Sequence, residues 1–306
     1  MTKTKDFNLY KRDREDVLSR SLSELIRGNK EGSFGTQAAR SAILHASINK
    51  LKEEGFSLKS VKNLKQKHIH VLLNSWRDRG LAISTIKNNM THLRWLARKI
   101  NNPRIIERTN RAYEIPNRKY VNNGGGKARN LDRNRFDRIT NSYVKMSLRL
   151  QEAFGLRREE CIKIQPDIAD KGDRLYLKDS WCKGKIAREV LIRNPEQRAI
   201  LDEVRLFCRE NGSKSLIPSN LQYKQQLKAY EYQTSKVGLS SMHGLRHRYA
   251  QTLYRDLTGW EAPNAGGPKK SELTVDQRKL DRMARLQISR DLGHKREEIT
   301  AVYLGR

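Results

Sequence analysis

The sequence is short of acid, of cysteine and of long apolar runs, and each shortage closes off a class of protein. Its 34 Asp+Glu stand against 63 Lys+Arg, a formal net charge of +29. A surface charged this way draws polyanions from a distance and disfavours cationic partners. The three cysteines, Cys161, Cys182 and Cys208, have no metal-ligand spacing and make no even framework. That argues against a zinc module or a disulfide scaffold and fits a reducing cytoplasm. No apolar stretch approaches the length of a membrane span. Met1-Thr2-Lys3-Thr4-Lys5-Asp6 opens without the apolar core of a secretory signal. No membrane partner and a cytoplasmic location are therefore expected. What remains, 306 residues at 36% hydrophobic, is enough for two packed domains.

Residues 7–101 read as helical. Ala38, Ala39, Ala42, Ile43 and Ala46 recur at helical spacing, as do Leu72, Leu73 and Trp76. Ser84-Thr85 opens a helix whose stripe is Ile86, Met90, Leu93, Leu96, Ala97 and Ile100; Lys87, Arg94, Arg98 and Lys99 lie off it and are candidate DNA contacts. Gly55, Gly80 and Asn101-Asn102-Pro103 punctuate these helices. A helical domain over 1–103 follows, then a linker over 104–128 containing Gly124-Gly125-Gly126, then a second domain over 129–306. Helical patterning there runs to Phe154. Arg174 to Ile192 reads as a hairpin around Lys183-Gly184-Lys185, and helix returns from Pro195. The fold class is mainly α with a small β-sheet.

The chemistry-bearing residues fall in the second domain. Arg157 follows Gly155 at a helix end, with Glu160 placed to hold its guanidinium. His243 and Arg246, three apart, share a helix face, with Ser240 and Ser241 as candidate N-caps; Leu245, Tyr249 and Leu253 form the core stripe. His294 follows Gly293, a helix stop, and Tyr303 comes nine residues later. Each alone reads as a salt bridge, a cap or a packing ring. Together they supply what metal-free phosphodiester transfer asks for. Planar guanidiniums suit a phosphoryl group whose charge grows in the transition state. A phenol can hold phosphorus covalently, and an acid can protonate the leaving oxygen.

In this order the residues resemble the tyrosine recombinase (phage integrase) family. Gly155-Leu156-Arg157-Arg158-Glu159-Glu160 is similar to its first arginine box. Met242-His243-Gly244-Leu245-Arg246-His247-Arg248-Tyr249-Ala250 is similar to its His-x-x-Arg box. Leu292-Gly293-His294 and Tyr303 match its third basic position and nucleophile, and Lys183-Gly184-Lys185-Ile186-Ala187-Arg188 resembles the hairpin bearing its lysine. The match spans about 155 to 303.

The resemblance implies a helical core-binding (SAM-like) domain and a catalytic domain forming a C-shaped clamp on duplex DNA. Arg157 and Arg246 would clamp the phosphate, with Glu160 in support. Lys183 would be the acid, with Lys185 as runner-up and DNA contact. His243 would be base or phosphate contact, and His294 a phosphate donor. Tyr303 would form the 3′-phosphotyrosyl bond. It further implies a homotetramer on paired sites, a Holliday junction, accessory DNA-bending or excision factors, nucleoid association, and no metal or other cofactor. From Arg246 to His294 the chain is longer than the family pattern. The extra segment, 256–280, holds Pro263 to Pro268 and a capping box at Thr274 and Gln277, and reads as a DNA or protomer contact or as a passive loop.

Competing functions are a type IB-like topoisomerase, a non-catalytic DNA binder of the same fold, and a metal-dependent transposase using Asp167, Asp170 and Asp173. The spacing of His243 and Lys183 favours the recombinase over the topoisomerase, and the complete set argues against a mere binder.

Overall fold

The computed structural model describes residues 17–117, 126–294 and 296–306. Residues 7–16 of the stretch expected to be helical and most of the glycine run lie outside them. The chain divides into two compact units, 1–118 and 119–306.

The first unit carries α1 (Val17–Gly28), α2 (Phe34–Glu53), α3 (Gln66–Asp78) and α4 (Ile83–Lys99). Its core joins Leu18 and Leu22 of α1 to Leu72, Leu73 and Trp76 of α3 and to the expected stripe of α4. α4 begins one residue before Ser84, with Ala82 as its cap. On α2 the alanine stripe is a misreading. Ala38, Ala39, Ala42 and Ala46 are exposed, and the buried face is Arg40, Leu44, Ser47, Ile48 and Leu51. A methyl group gains little from burial, so the larger Leu and Ile set which face turns inward. Arg40 joins them because its guanidinium stacks on Trp95, 4.1 Å from the ring centre. Residues 104–117 are not free tether. Ile105, Ile106, Tyr113 and Ile115 are buried in this same core, and Arg77 donates to the Tyr113 carbonyl at 2.5 Å.

The second unit runs α5 (Arg133–Asp137), α6 (Ser142–Phe154), α7 (Arg158–Lys163), α8 (Pro166–Ala169), β1 (Arg174–Leu177), β2 (Arg188–Leu191), α9 (Pro195–Glu210), α10 (Tyr223–Lys236), α11 (His243–Thr258), α12 (Val275–Asp291) and α13 (Ala301–Leu304). The strands are antiparallel, Arg174 opposite Leu191 and Leu177 opposite Arg188. The expected hairpin is present, but residues 178–187 separate its strands rather than a tight turn. Asp167, Asp170 and Asp173 are each engaged by arginine, among them Arg209, Arg198 and Arg174 respectively.

Two apolar clusters build the unit. One gathers Val144, Leu148, Phe154, Leu175, Val190, Leu201 and Leu245; the other gathers Tyr249, Leu253, Tyr254, Ile288, Leu292, Tyr303 and Leu304. α11 contributes Leu245 to the first and Tyr249 and Leu253 to the second, as its stripe requires. Ala262, inside the extra segment, is fully buried in the second cluster, and Asn264 lies close against Gly126 and Gly305. The extra segment therefore props the C-terminal helix. The capping box at Thr274 and Gln277 opens α12 as expected.

Candidate active site

Gly155 ends α6 with φ 60°, and a Cβ there would sit 2.5 Å from the Tyr249 ring. Only glycine fits this tight exit. The turn delivers Arg157 as the cap of α7, with Glu160 in its first turn. Glu160 has no solvent exposure. Its oxygens accept from the Arg157 backbone N at 2.7 Å and side chain at 2.8 Å, and from both Arg188 terminal nitrogens at 2.8 and 2.7 Å. Burial alone would raise its pKa. The Arg188 hydrogen bonds and charge, then Arg157, outweigh that and hold the carboxyl at about 2.

His243 is the first residue of α11, exposed at the helix N-terminus, and Arg246 lies one turn in. The expected serine caps are absent: Ser241 is left-handed (φ 55°) and Met242 takes the cap position without a side-chain bond. Arg246 is completely buried. It donates to the Gly155 carbonyl at 2.6 Å and to the Leu292 carbonyl, while Nε lies 3.4 Å from the Tyr303 hydroxyl. Burial lowers its pKa to about 10, so it stays a cation at neutral pH. The Leu292 carbonyl, at the negative end of α12, also accepts from Arg157 at 3.2 Å. One oxygen thus holds both guanidiniums side by side.

Gly293 turns the chain out of α12, and His294 Nε2 comes to 3.3 Å from the Tyr303 hydroxyl. Burial first, then Arg246 and Arg157, lowers the His294 pKa to about 4; His243 is lowered by the same causes. Both imidazoles are neutral at pH 7. Tyr303 is only 5% exposed. α11 holds it from below: Gln251 donates to its backbone carbonyl at 3.0 Å, and the His247 ring lies 4.6 Å from its ring.

The structure therefore brings together Arg157, Glu160, Arg246, His294 and Tyr303, with the His243 ring centre 6.3 Å from that of Tyr303. It does not bring Lys183 to them. Lys183 and Lys185 stand exposed on the loop between the strands. Of the other candidates, Arg98 is exposed and Lys87 half-buried. Arg94 turns inward instead and donates to the Glu107 carbonyl at 2.9 Å. Sequence reasoning assigned no role to Arg188, His247 or Gln251. Arg188 had a signal: it shares the inward parity of Val190 on β2, and an inward arginine needs a buried acid.

A family model described as "Phage integrase, N-terminal" matches residues 15–105, and one described as "Integrase" matches 119–252. The chain belongs to the tyrosine recombinase family of phage integrases. As a member of it, the protein is a site-specific DNA recombinase. Among solved structures, this recombinase is similar to lambda integrase in a tetramer bound to a Holliday junction (15% identity, 99% of this chain and 81% of that one, TM-score 0.57). It is also similar to the XerH site-specific recombinase in a post-cleavage complex (18% identity, 93% and 80%, TM-score 0.57). A third is the Tn1549 transposon integrase with transposon right-end DNA (11% identity, 94% and 94%, TM-score 0.50). At these identities the likeness speaks to the fold. No curated protein matches the sequence.

Proposed function

We propose that the recombinase cleaves duplex DNA with Tyr303 and rejoins it by the reverse step. The observation that carries this is the Tyr303 hydroxyl lying between the Arg246 guanidinium and the neutral His294 imidazole, 3.4 and 3.3 Å away. Tyr303 Oη attacks the scissile phosphorus. Its proton passes to His294, the imidazole nearest the phenol, and His243 contacts the phosphate from the α11 N-terminus. Arg157 and Arg246 neutralise the non-bridging oxygens as charge builds. The P–O5′ bond breaks, and Lys183 gives its proton to O5′ as the 178–187 loop closes on DNA. A 3′-phosphotyrosyl bond and a free 5′-hydroxyl result. Attack by a partner strand's 5′-hydroxyl restores the backbone and returns the protons.

Two such exchanges, in a tetramer on paired sites, pass through a Holliday junction. This is the assembly named for the lambda integrase structure. Duplex DNA is thus the partner, with DNA-bending or excision factors as accessories and the nucleoid as the place of action.

The test is capture on a random duplex library in EDTA. Covalent adducts should form and map to a defined sequence, and Tyr303→Phe should bind DNA but form none. Loss of adducts on chelation would discard the mechanism. Adducts that only relax supercoiled DNA, without recombinant products, would favour a topoisomerase, and binding without adducts a simple DNA binder.

A further inference from the structure

We propose that Arg188 is a positioning residue for the leaving-group acid, fastening the root of the Lys183 loop to the phosphate-binding centre. Arg188 opens β2, five residues after Lys183, and its side chain is 7% exposed. Its nitrogens are committed to protein acceptors, which leaves it to position rather than to bind the phosphate. Its fork is bidentate on Glu160 at 2.8 and 2.7 Å, and Nε donates to the Asp291 carbonyl at 2.8 Å. One terminal nitrogen also lies 3.3 Å from Cys182 Sγ, the residue beside Lys183. Gly293 packs directly on it: a Cβ there would fall 2.9 Å from Arg188 Cδ.

One guanidinium therefore touches the neighbour of Lys183, the acid that holds Arg157, and the turn that leads into His294. The planar fork suits this, since it fixes direction where an ammonium fixes only charge. Lys183 needs such a root. It sits on a loop of residues 178–187 joined by strands of four residues each, and a catalytic group is effective only when its approach is restricted in advance.

The proposal rests on Lys183 being the acid that protonates O5′, and the test separates the two. The probe is a nicked duplex carrying the sequence recovered by adduct capture, made with either oxygen or sulfur as the bridging 5′ atom. A thiolate leaves without being protonated, so sulfur corrects loss of the acid but not loss of phosphate stabilisation. Single-turnover adduct formation is measured with the full chain.

Lys183→Ala should lose roughly two to four orders of magnitude in rate on oxygen and recover on sulfur. Arg188→Lys, which keeps charge beside Glu160 but loses the fork, should lose about 10² on oxygen and recover likewise. If Lys183→Ala recovers but Arg188→Lys is slow on both probes, or is as fast as the unaltered chain on oxygen, the proposal is overturned and the role of Lys183 stands. If Lys183→Ala itself does not recover, the underlying reading fails and takes the proposal with it. A second variant guards against misfolding of Arg188→Lys. Two glycines inserted between Ala187 and Arg188 leave the Glu160 contacts in place and slacken only the tie along the chain to Lys183. It should show the same sulfur-corrected loss, and an unchanged rate on oxygen overturns the proposal.

Discussion

Replacing Glu160 with Gln removes the one negative charge beneath two guanidiniums. Glu160 is fully buried and titrates at about 2 in the folded chain against an ordinary 4.5. The folded state therefore favours the carboxylate. Its contribution is complete above pH 4.5 and is lost as pH falls from there through 2. A difference of this size is worth about 3 kcal/mol at neutral pH. Gln keeps the shape but offers one acceptor oxygen in place of two, and leaves Arg157 and Arg188 facing each other uncompensated. Breaking a buried pair from one side costs about 3 to 5 kcal/mol. The two routes agree.

The assay is urea unfolding followed by tryptophan fluorescence at pH 7, 5 and 3. Trp76 and Trp95 report the first unit, which lacks Glu160 and serves as internal reference; Trp181 and Trp260 report the second. The second unit of Glu160→Gln should be weaker by about 3 kcal/mol at pH 7, and the gap from the unaltered chain should shrink at pH 3. A gap below about 1 kcal/mol at pH 7, or one independent of pH, would refute the claim that this carboxylate anchors both arginines.

Arg157→Ala and Arg246→Ala should each cut the adduct rate by about two to three orders of magnitude; wild-type kinetics in either refutes its role. Arg246→Ala should also destabilise the fold, because it strips the buried Gly155 carbonyl of its Arg246 donor and leaves the Leu292 carbonyl with Arg157 alone, which urea unfolding reads directly. A phosphate beside His294 should raise its depressed pKa. DNA binding should then take up protons between pH 4 and 6.5 and tighten as pH falls through that window. Calorimetry in buffers of different ionisation enthalpy checks this, and zero uptake contradicts it. Lys87→Ala and Arg98→Ala should each lower the log–log salt slope of DNA binding by about 1. Arg94→Ala should leave the slope alone and weaken the first unit, since its guanidinium serves the Glu107 carbonyl.

The arginines, histidines and tyrosine of the candidate site were legible because their order along the chain resembles that of the tyrosine recombinase family, and order survives in a sequence. The α3 and α4 faces were legible because Leu, Trp, Ile and Met carry enough apolar surface to fix a face. The α2 face was hidden by alanine, whose small side chain reports helix but not orientation. Arg188, His247 and Gln251 act through contacts with residues far along the chain, Glu160, Tyr303 and Asp291 among them. Such pairings exist only once the fold has formed. The extra segment shows the same limit: its glycines and prolines announce a turn, whereas the burial of Ala262 against the Tyr303 cluster depends on packing.

The most direct test is to find which residue becomes bonded to DNA. Trypsin should release Glu297–Arg306, which holds a single tyrosine, Tyr303. Mass spectrometry of captured adducts should place the nucleotide on that peptide and on that phenol. Attachment at any other tyrosine, or through a serine, would contradict the account.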